Sequence, residues 1–347
     1  MTKKIIIDAA HPEETRVAVL ENDRLQDFDR DALCVKQIKG NIYLAKITRV
    51  EQSLQAAFID YGSDRHGFLP FSDIHPDYYQ LSDEEKNKLK ELTRSTTEAA
   101  EADFNKDNED DTKFDVKSEK DSNSSGEDDR AITTGSYSVE DETGSNNRNI
   151  NNVYKRYNIQ DVIKPGQVIL VQVLKEERGN KGASMTSYIS IAGKYCVLMA
   201  NTPNKGGVSK KVDNFRDRKI LRSILNDLNV PVEKSVIIRT AGVGKKPEEL
   251  KRDYDYLVRL WNSIREMTLS SKAPTFIHAE DDIIKKCMRD IYDESVQEVV
   301  IEGKEAYDSV VEFVKLIMPG SLNNIKFYDD RVPVFNKYKV EQQILGL

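Results

Sequence analysis

Three groups of residues in this sequence have the types and spacing to hold a polyanion. The first is the run Lys175-Glu-Glu-Arg-Gly-Asn-Lys-Gly182, where three cations and two glycines share eight positions between two apolar runs. A hairpin turn needs only Asn-Gly or Asp-Gly. The surplus of Lys175, Arg178 and Lys181 on a glycine-loosened backbone suits a polyanion at close range. The second group is Phe58, Tyr61 and Phe68, with Lys39, Lys46, Arg49 and Arg65 near them. Aromatic rings stack on bases while cations take the phosphates, which is how single-stranded nucleic acid is held. The same aromatics could instead fill the inside of a barrel; with the cationic run beside them, RNA binding is the reading placed first. The third group is Ile237-Ile-Arg-Thr-Ala-Gly-Val-Gly-Lys245, a strand leading into an Arg-Thr pair and a glycine-rich turn before a helix. Arg239 offers a planar fork for two phosphate oxygens, and Thr240 adds a hydroxyl donor. The glycines let backbone N–H groups face an anion. The Gly-x4-Gly-Lys-Ser/Thr spacing of a Walker loop is absent, and on composition alone a structural turn is an equal reading.

Other candidates are weaker. His11, His66, His75 and His278 form no ligand pattern, and Glu280-Asp281-Asp282 and Asp329-Asp330 read as solvated charge runs. Asp8, at the end of the first strand, has no identifiable partner carboxylate for a metal. Cys34, Cys196 and Cys287 are far apart, with no CxxC pair, so neither a zinc site nor a disulfide framework is expected. No apolar run approaches eighteen residues and no signal peptide is visible, so a cytoplasmic protein with reduced thiols and no membrane segment is expected.

The elements that must position these groups follow from periodicity. The 347 residues leave room for two or three domains. Short strands are expected at 4–9, 15–20 and 24–28, then at 41–50, 54–61 and 66–71. Two more, 166–174 and 184–192, flank the cationic run. Three strands before a long connection and two after it match a five-stranded OB barrel. The connection is acidic: residues 98–146 hold 16 acidic and 5 basic side chains, against 59 and 52 in the whole chain. Without them the chain carries 47 basic and 43 acidic residues and is mildly basic. We read about 93–157 as a disordered insertion, after a short helix over 81–92. Beyond 193, helices are expected at 214–228, 247–270, 281–292 and 304–317, and strands at 235–239, 299–301 and 325–328.

Five stretches carry a resemblance: GNIYLAKITRVEQSLQAAFIDYGSDRHGFLP (40–70), QVILVQVLKEERGNKGASMTSYISIAGKYCVLM (167–199), GGVSKK (206–211), IIRTAGVGK (237–245) and VPVFNKYKVEQQI (332–344). In this order they resemble the N-terminal half of the bacterial ribonuclease E/G family. The resemblance implies a multidomain α+β fold: a discontinuous RNase H-like domain (1–36 and 285–347), an inserted OB-fold RNA-binding barrel of the ribosomal S-one type (37–187), and an α/β 5′-sensor segment (188–284). It implies an endoribonuclease acting on single-stranded RNA with a 5′-monophosphate, in rRNA and tRNA processing and mRNA decay. Gly193, Arg239 and Thr240 would hold the terminal phosphate and Val197 would pack against the first base. Phe58, Tyr61, Phe68, Lys175, Arg178 and Lys181 would contact the strand. Lys210 and Lys211 stand where the family has a basic pair after the sensor glycines.

Family members continue into a DNase I-like domain with Mg2+-binding aspartates and a zinc link. Neither is present in this sequence, so no cofactor is expected in it, and the chain is expected to be inactive alone. The alternatives are a catalytically inactive RNA-binding remnant, or the substrate-binding half of a split endoribonuclease partnered by a separate catalytic half. A monomer is expected.

Overall fold

A computed structural model describes residues 3–11, 13–32, 38–81, 157–177, 182–202, 206–231, 233–280, 282–293 and 295–344. The expected helix over 81–92, almost all of the acidic insertion, Cys34, Arg178 and Lys181 lie outside the described residues. Residues 1–75 and 164–347 form one compact unit, and 76–163 another.

Among the described residues, the first unit contains three sheets. One is five-stranded, ordered β15 (Ile325–Tyr328), β14 (Val296–Glu302), β1 (Lys3–His11), β2 (Glu14–Glu21) and β3 (Arg24–Ala32). The run Ile5-Ile6-Ile7 is fully buried because β1 is covered on both faces. Ile5 and Ile7 pack with Cys287, Phe313 and Val314, while Ile6 packs with Val300, Val334 and Phe335. The parallel pairing of β1 with β14 joins the two ends of the sequence.

The second sheet is the barrel. Strands β4 (Ile42–Glu51), β5 (Ala56–Asp60), β6 (Gly67–Pro70), β8 (Ser184–Thr186) and β7 (Val168–Lys175) follow one another, and β4 pairs with β7 to close the ring. Five strands close the barrel, as expected for an OB fold. A sixth, β13 (Thr275–His278), adds antiparallel to β4 from outside.

The third sheet is ordered β11 (Gly207–Val208), β12 (Ser235–Ile238), β10 (Cys196–Met199) and β9 (Ser190–Ala192). The strand expected over 184–192 is thus two strands, β8 in the barrel and β9 in this sheet. Side chains satisfy the backbone at the break: Ile189 N–H donates to Asn201 Oδ1 at 2.9 Å, and Asn201 Nδ2 donates to the Ser187 carbonyl at 2.7 Å. Such local polar contacts compete with a continuous ladder.

The helices are α1 (Ile159–Val162), α2 (Phe215–Asp227), α3 (Pro247–Ser270), α4 (Ile283–Asp290), α5 (Lys304–Ile317), α6 (Val334–Lys337) and α7 (Val340–Ile344). Helix α3 starts at Pro247 with Glu248 and Glu249 in its first turn, as the positive helix N-terminus favours. Its stripe of Leu250, Tyr254, Leu257, Trp261 and Ile264 packs into one core with β9, β10 and β12. In the second unit, which contains α1, the Gln80 N–H donates to the Val162 carbonyl at 2.8 Å, so the chain on either side of the insertion meets.

Candidate nucleic-acid interface

Arg239 directly follows β12, and its backbone N–H donates to the Tyr195 carbonyl at 2.8 Å. Thr240 opens a single 3-10 turn, Thr240–Gly242, before α3. Gly244 sits at φ +73°, which explains the second glycine of this turn. The Arg239 side chain is 12% exposed. Its Nη1 donates to the Gly193 carbonyl at 2.7 Å and lies 2.8 Å from Asp290 Oδ1. Val197 pairs with Ile237 across β10 and β12. Both are half-buried, whereas their neighbours Cys196, Leu198, Val236 and Ile238 face the core. Alternation along β12 puts Val197 and Arg239 on the same outer face. Gly193, Val197, Arg239 and Thr240, drawn from separate parts of the sequence, therefore gather at one place.

Four side chains missed in the sequence hold that place together. Asp253 of α3 is fully buried. Its Oδ1 accepts from the Lys194 N–H at 3.1 Å, and its Oδ2 accepts from the Tyr195 and Cys196 N–H groups at 2.8 Å each. A Cβ at position 193 would come within 2.6 Å of Asp253 Oδ2, so Gly193 is required by this close approach. Burial pushes the Asp253 carboxyl up, and the three amide donors oppose that rise. Lys194 is buried too, and its Nζ donates to the carbonyls of Tyr292 at 2.6 Å and Met288 at 3.3 Å. It thereby caps the C-terminal end of α4 with a cation. Burial lowers its pKa to about 8, against the pull of Asp253 and Asp290. The cap fixes the end of α4, where Asp290 meets Arg239. Arg289 forks onto the same carboxylate at 3.2 and 3.0 Å. Burial works against the charge on Asp290, but the two guanidinium groups outweigh it and hold the carboxyl below its usual range. Asp253 left a trace in the sequence: it is an acid on the apolar stripe of α3, three residues after Leu250.

On the barrel, register partners form a continuous row. Lys175 of β7 pairs with Ser184 of β8, Ser184 with Phe68 of β6, Phe68 with Phe58 of β5, and Phe58 with Arg49 of β4. Register partners share a sheet face, and none of these side chains is buried. The two phenyl rings meet edge to face at 5.9 Å, and the Arg49 guanidinium lies 4.8 Å from the Phe58 ring. Tyr61 is placed differently. It is 3% exposed, packs on Tyr43 at 5.1 Å and donates its hydroxyl to Glu177 at 2.9 Å. Burial pushes its phenol up to about 12. A base needs an open ring face, so Tyr61 is an interior residue of the barrel. Lys210 and Lys211 are exposed just after β11, and the preceding Ser209 donates its N–H to the Ile238 carbonyl at 2.9 Å, one residue from Arg239.

Residues 190–347 match the model of the Ribonuclease E/G family, and residues 36–99 match the S1 RNA binding domain. The chain is 30% identical over 346 residues to a putative ribonuclease E of Buchnera aphidicola subsp. Baizongia pistaciae, covering 99% of this chain and 68% of that one. The chain belongs to the ribonuclease E/G family. It is also 35% identical to ribonuclease E of Haemophilus influenzae and 33% identical to that of Escherichia coli, with 99% of this chain aligned in each case. It spans 29% and 26% of the length of those two relatives.

In ribonuclease E/G terms, the S1 match covers β4, β5 and β6 of the barrel, and the family match begins at β9 and runs through the Arg239 cluster. RNA binding is thus supported from both matches. Among the described residues, no group of three or more His, Cys, Asp or Glu is placed to hold a metal ion. No described helix is long and apolar enough to cross a membrane.

Proposed function

We propose that this chain recognises single-stranded RNA for endonucleolytic cleavage. In this reading the RNA lies along the Arg49–Phe58–Phe68–Ser184–Lys175 row, and its 5′-monophosphate is held at Gly193, Arg239 and Thr240 beside Val197. The row is the observation that carries the reading. A cation at each end and two rings in the middle match a backbone that carries charge and bases that stack. The pocket is supported by geometry: the Gly193 carbonyl and Asp290 hold the Arg239 guanidinium in a fixed orientation beside Thr240. Lys210 and Lys211 extend the cationic surface in the proposed interface, and Arg178 and Lys181, outside the described residues, are proposed as further RNA contacts. No described residues fit the family's Mg2+, so no hydrolytic step is assigned to them.

The test compares a 5′-phosphorylated oligonucleotide with its 5′-hydroxyl twin by fluorescence anisotropy. Arg239→Ala removes a charge-assisted contact worth about 1.5–3 kcal/mol. Affinity for the phosphorylated RNA is expected to fall by roughly 10- to 150-fold, with the hydroxyl twin little changed. Equal losses on both RNAs would make Arg239 a general cation and defeat the pocket reading.

A further inference from the structure

Helix α2 carries a surface that neither the barrel row nor the pocket uses. Its inner face, Leu221, Ile224 and Leu225, is buried in the core shared with β12 and α3. Its outer face presents Phe215, Arg216, Lys219, Ile220 and Ser223, all exposed, at the spacing of one helical side. Phe215 is 53% exposed and Ile220 59%. No described acidic side chain pairs with Arg216 or Lys219. From Lys210 to Arg222 there are six basic residues and two acidic ones. Burial, and then the like charge of Arg218 one turn away, lower the pKa of Arg222. Concentrating positive charge on one helix is unfavourable unless an anion lies against it.

The helix is anchored beside the Arg239 cluster. Arg218 Nη1 donates to the carbonyls of Ser209 and Val212, at 3.1 Å each. Ser209 is in turn bonded to Ile238, the residue before Arg239.

We propose that the outer face of α2 is a second RNA-binding track, with phosphates on Arg216 and Lys219 and a base stacked on Phe215. The occupant is single-stranded RNA. An exposed ring among cations is the chemistry that holds an unpaired base and its backbone. A membrane surface is the poorer fit, because the broad apolar face of α2 is already spent in the core and only Phe215 and Ile220 remain outside. The track goes beyond the proposed 5′-phosphate pocket. It rests only on the chain's binding RNA, and it does not distinguish one 5′ end from another.

The experiment measures affinity for a 5′-hydroxyl oligonucleotide against salt, for the wild type, for Arg216→Gln/Lys219→Gln and for Phe215→Ala. The double variant is expected to lower the slope of log affinity against log salt by about 1.4, since each phosphate contact on a single strand contributes about 0.7. Phe215→Ala is expected to weaken binding about tenfold, the effect of losing one stacked base. The 5′-phosphorylated RNA should show the same losses, whereas Arg239→Ala should weaken binding of the phosphorylated RNA alone. A wild type with no preference for the 5′-phosphate would sink the pocket while this track is still read on the hydroxyl RNA. Phe215→Trp gives a fold-independent check: its fluorescence should be quenched on adding RNA. Unchanged slope and affinity in correctly folded variants overturn the proposal. So does a loss confined to binding of anionic phosphatidylserine vesicles.

Discussion

Asp253 is the residue on which the proposed pocket depends without touching RNA. Asp253→Ala leaves the N–H groups of Lys194, Tyr195 and Cys196 without their acceptor, in a turn where the carboxylate is completely buried. Each buried donor left unsatisfied costs about 1–3 kcal/mol. Because one turn carries all three and can partly open to water, the sum is held to about 3–5 kcal/mol, a large share of a domain's typical 5–15 kcal/mol. Asp253→Asn separates the contributions. Its amide oxygen can occupy the Oδ2 position and keep Tyr195 and Cys196, while its NH2 then faces the Lys194 N–H. One bond is lost instead of three, so the expected cost is about 1–3 kcal/mol.

The assay is urea unfolding by circular dichroism for the three proteins, paired with binding of the two oligonucleotides. The expected order is wild type, then Asn, then Ala. Preference for the 5′-phosphate should fall in the same order although Arg239 is untouched, because Arg239 leans on the Gly193 carbonyl in the turn that Asp253 holds. If Ala costs no more than Asn, or if Ala loses stability but keeps full 5′-phosphate preference, then the carboxylate does not set the turn and the reasoning fails.

Two further predictions concern charge. Lys194 has a folded pKa of about 8, lowered from 10.5 by burial. Between those values the unfolded chain binds a proton that the folded one has released, so this residue's contribution makes stability rise with pH across that window, by at most about 1.4 kcal/mol per pH unit. The difference between wild type and Lys194→Met in urea midpoints should grow from pH 8 to pH 10, and a flat difference would contradict the shift. Deleting 98–146 removes 16 acidic and 5 basic residues. Thermal melting of the rest should be unchanged, since Gln80 and Val162 already meet on either side of the insertion. RNA affinity should rise at low salt and converge with the wild type at high salt; a lowered melting temperature would count against that view of the connection.

Where periodicity was strong, the sequence was legible: α3, α5 and β15 run over the residues their apolar spacing predicts. Four of the five barrel strands, β4 to β7, were legible for the same reason, with ends shifted by a residue or two, and the fifth, β8, began where expected but ended early. Strands β10, β11 and β13 were not. They are two to four residues long, and their pairing is dictated by partners distant in sequence, as with β13 on β4. The break between β8 and β9 was hidden because it depends on Asn201 reaching back to Ser187 and Ile189. In the site, the Arg239 turn announced itself through glycine. Asp290 and Lys194 did not, because a buried cation capping a helix looks in sequence like any surface lysine. Tyr61 and Phe58 could not be told apart by type. The strand register makes Phe58 part of the row, and Tyr61 lies just beyond the end of β5 with its hydroxyl tied to Glu177.

The barrel and the small sheet also share a polar joint that bears on how the two proposed surfaces act together. Gln172 of β7 is 8% exposed. Its Nε2 donates to the carbonyls of Gly40 and Ser190, and its Oε1 accepts from the Ser190 N–H, each at 2.9 Å. A buried amide satisfied at both ends fixes one arrangement, because any slippage strands a donor or an acceptor. Ser190 starts β9, which ends one residue before Gly193, and β8 carries Ser184 of the barrel row. Eight residues therefore lie between the row and the pocket, and Ser190 among them is pinned to the barrel by one side chain. On the proposed reading, an RNA that reaches both surfaces meets them at a set separation. The second contact then forms at high effective concentration, while an RNA too short to span them gains nothing from the pair.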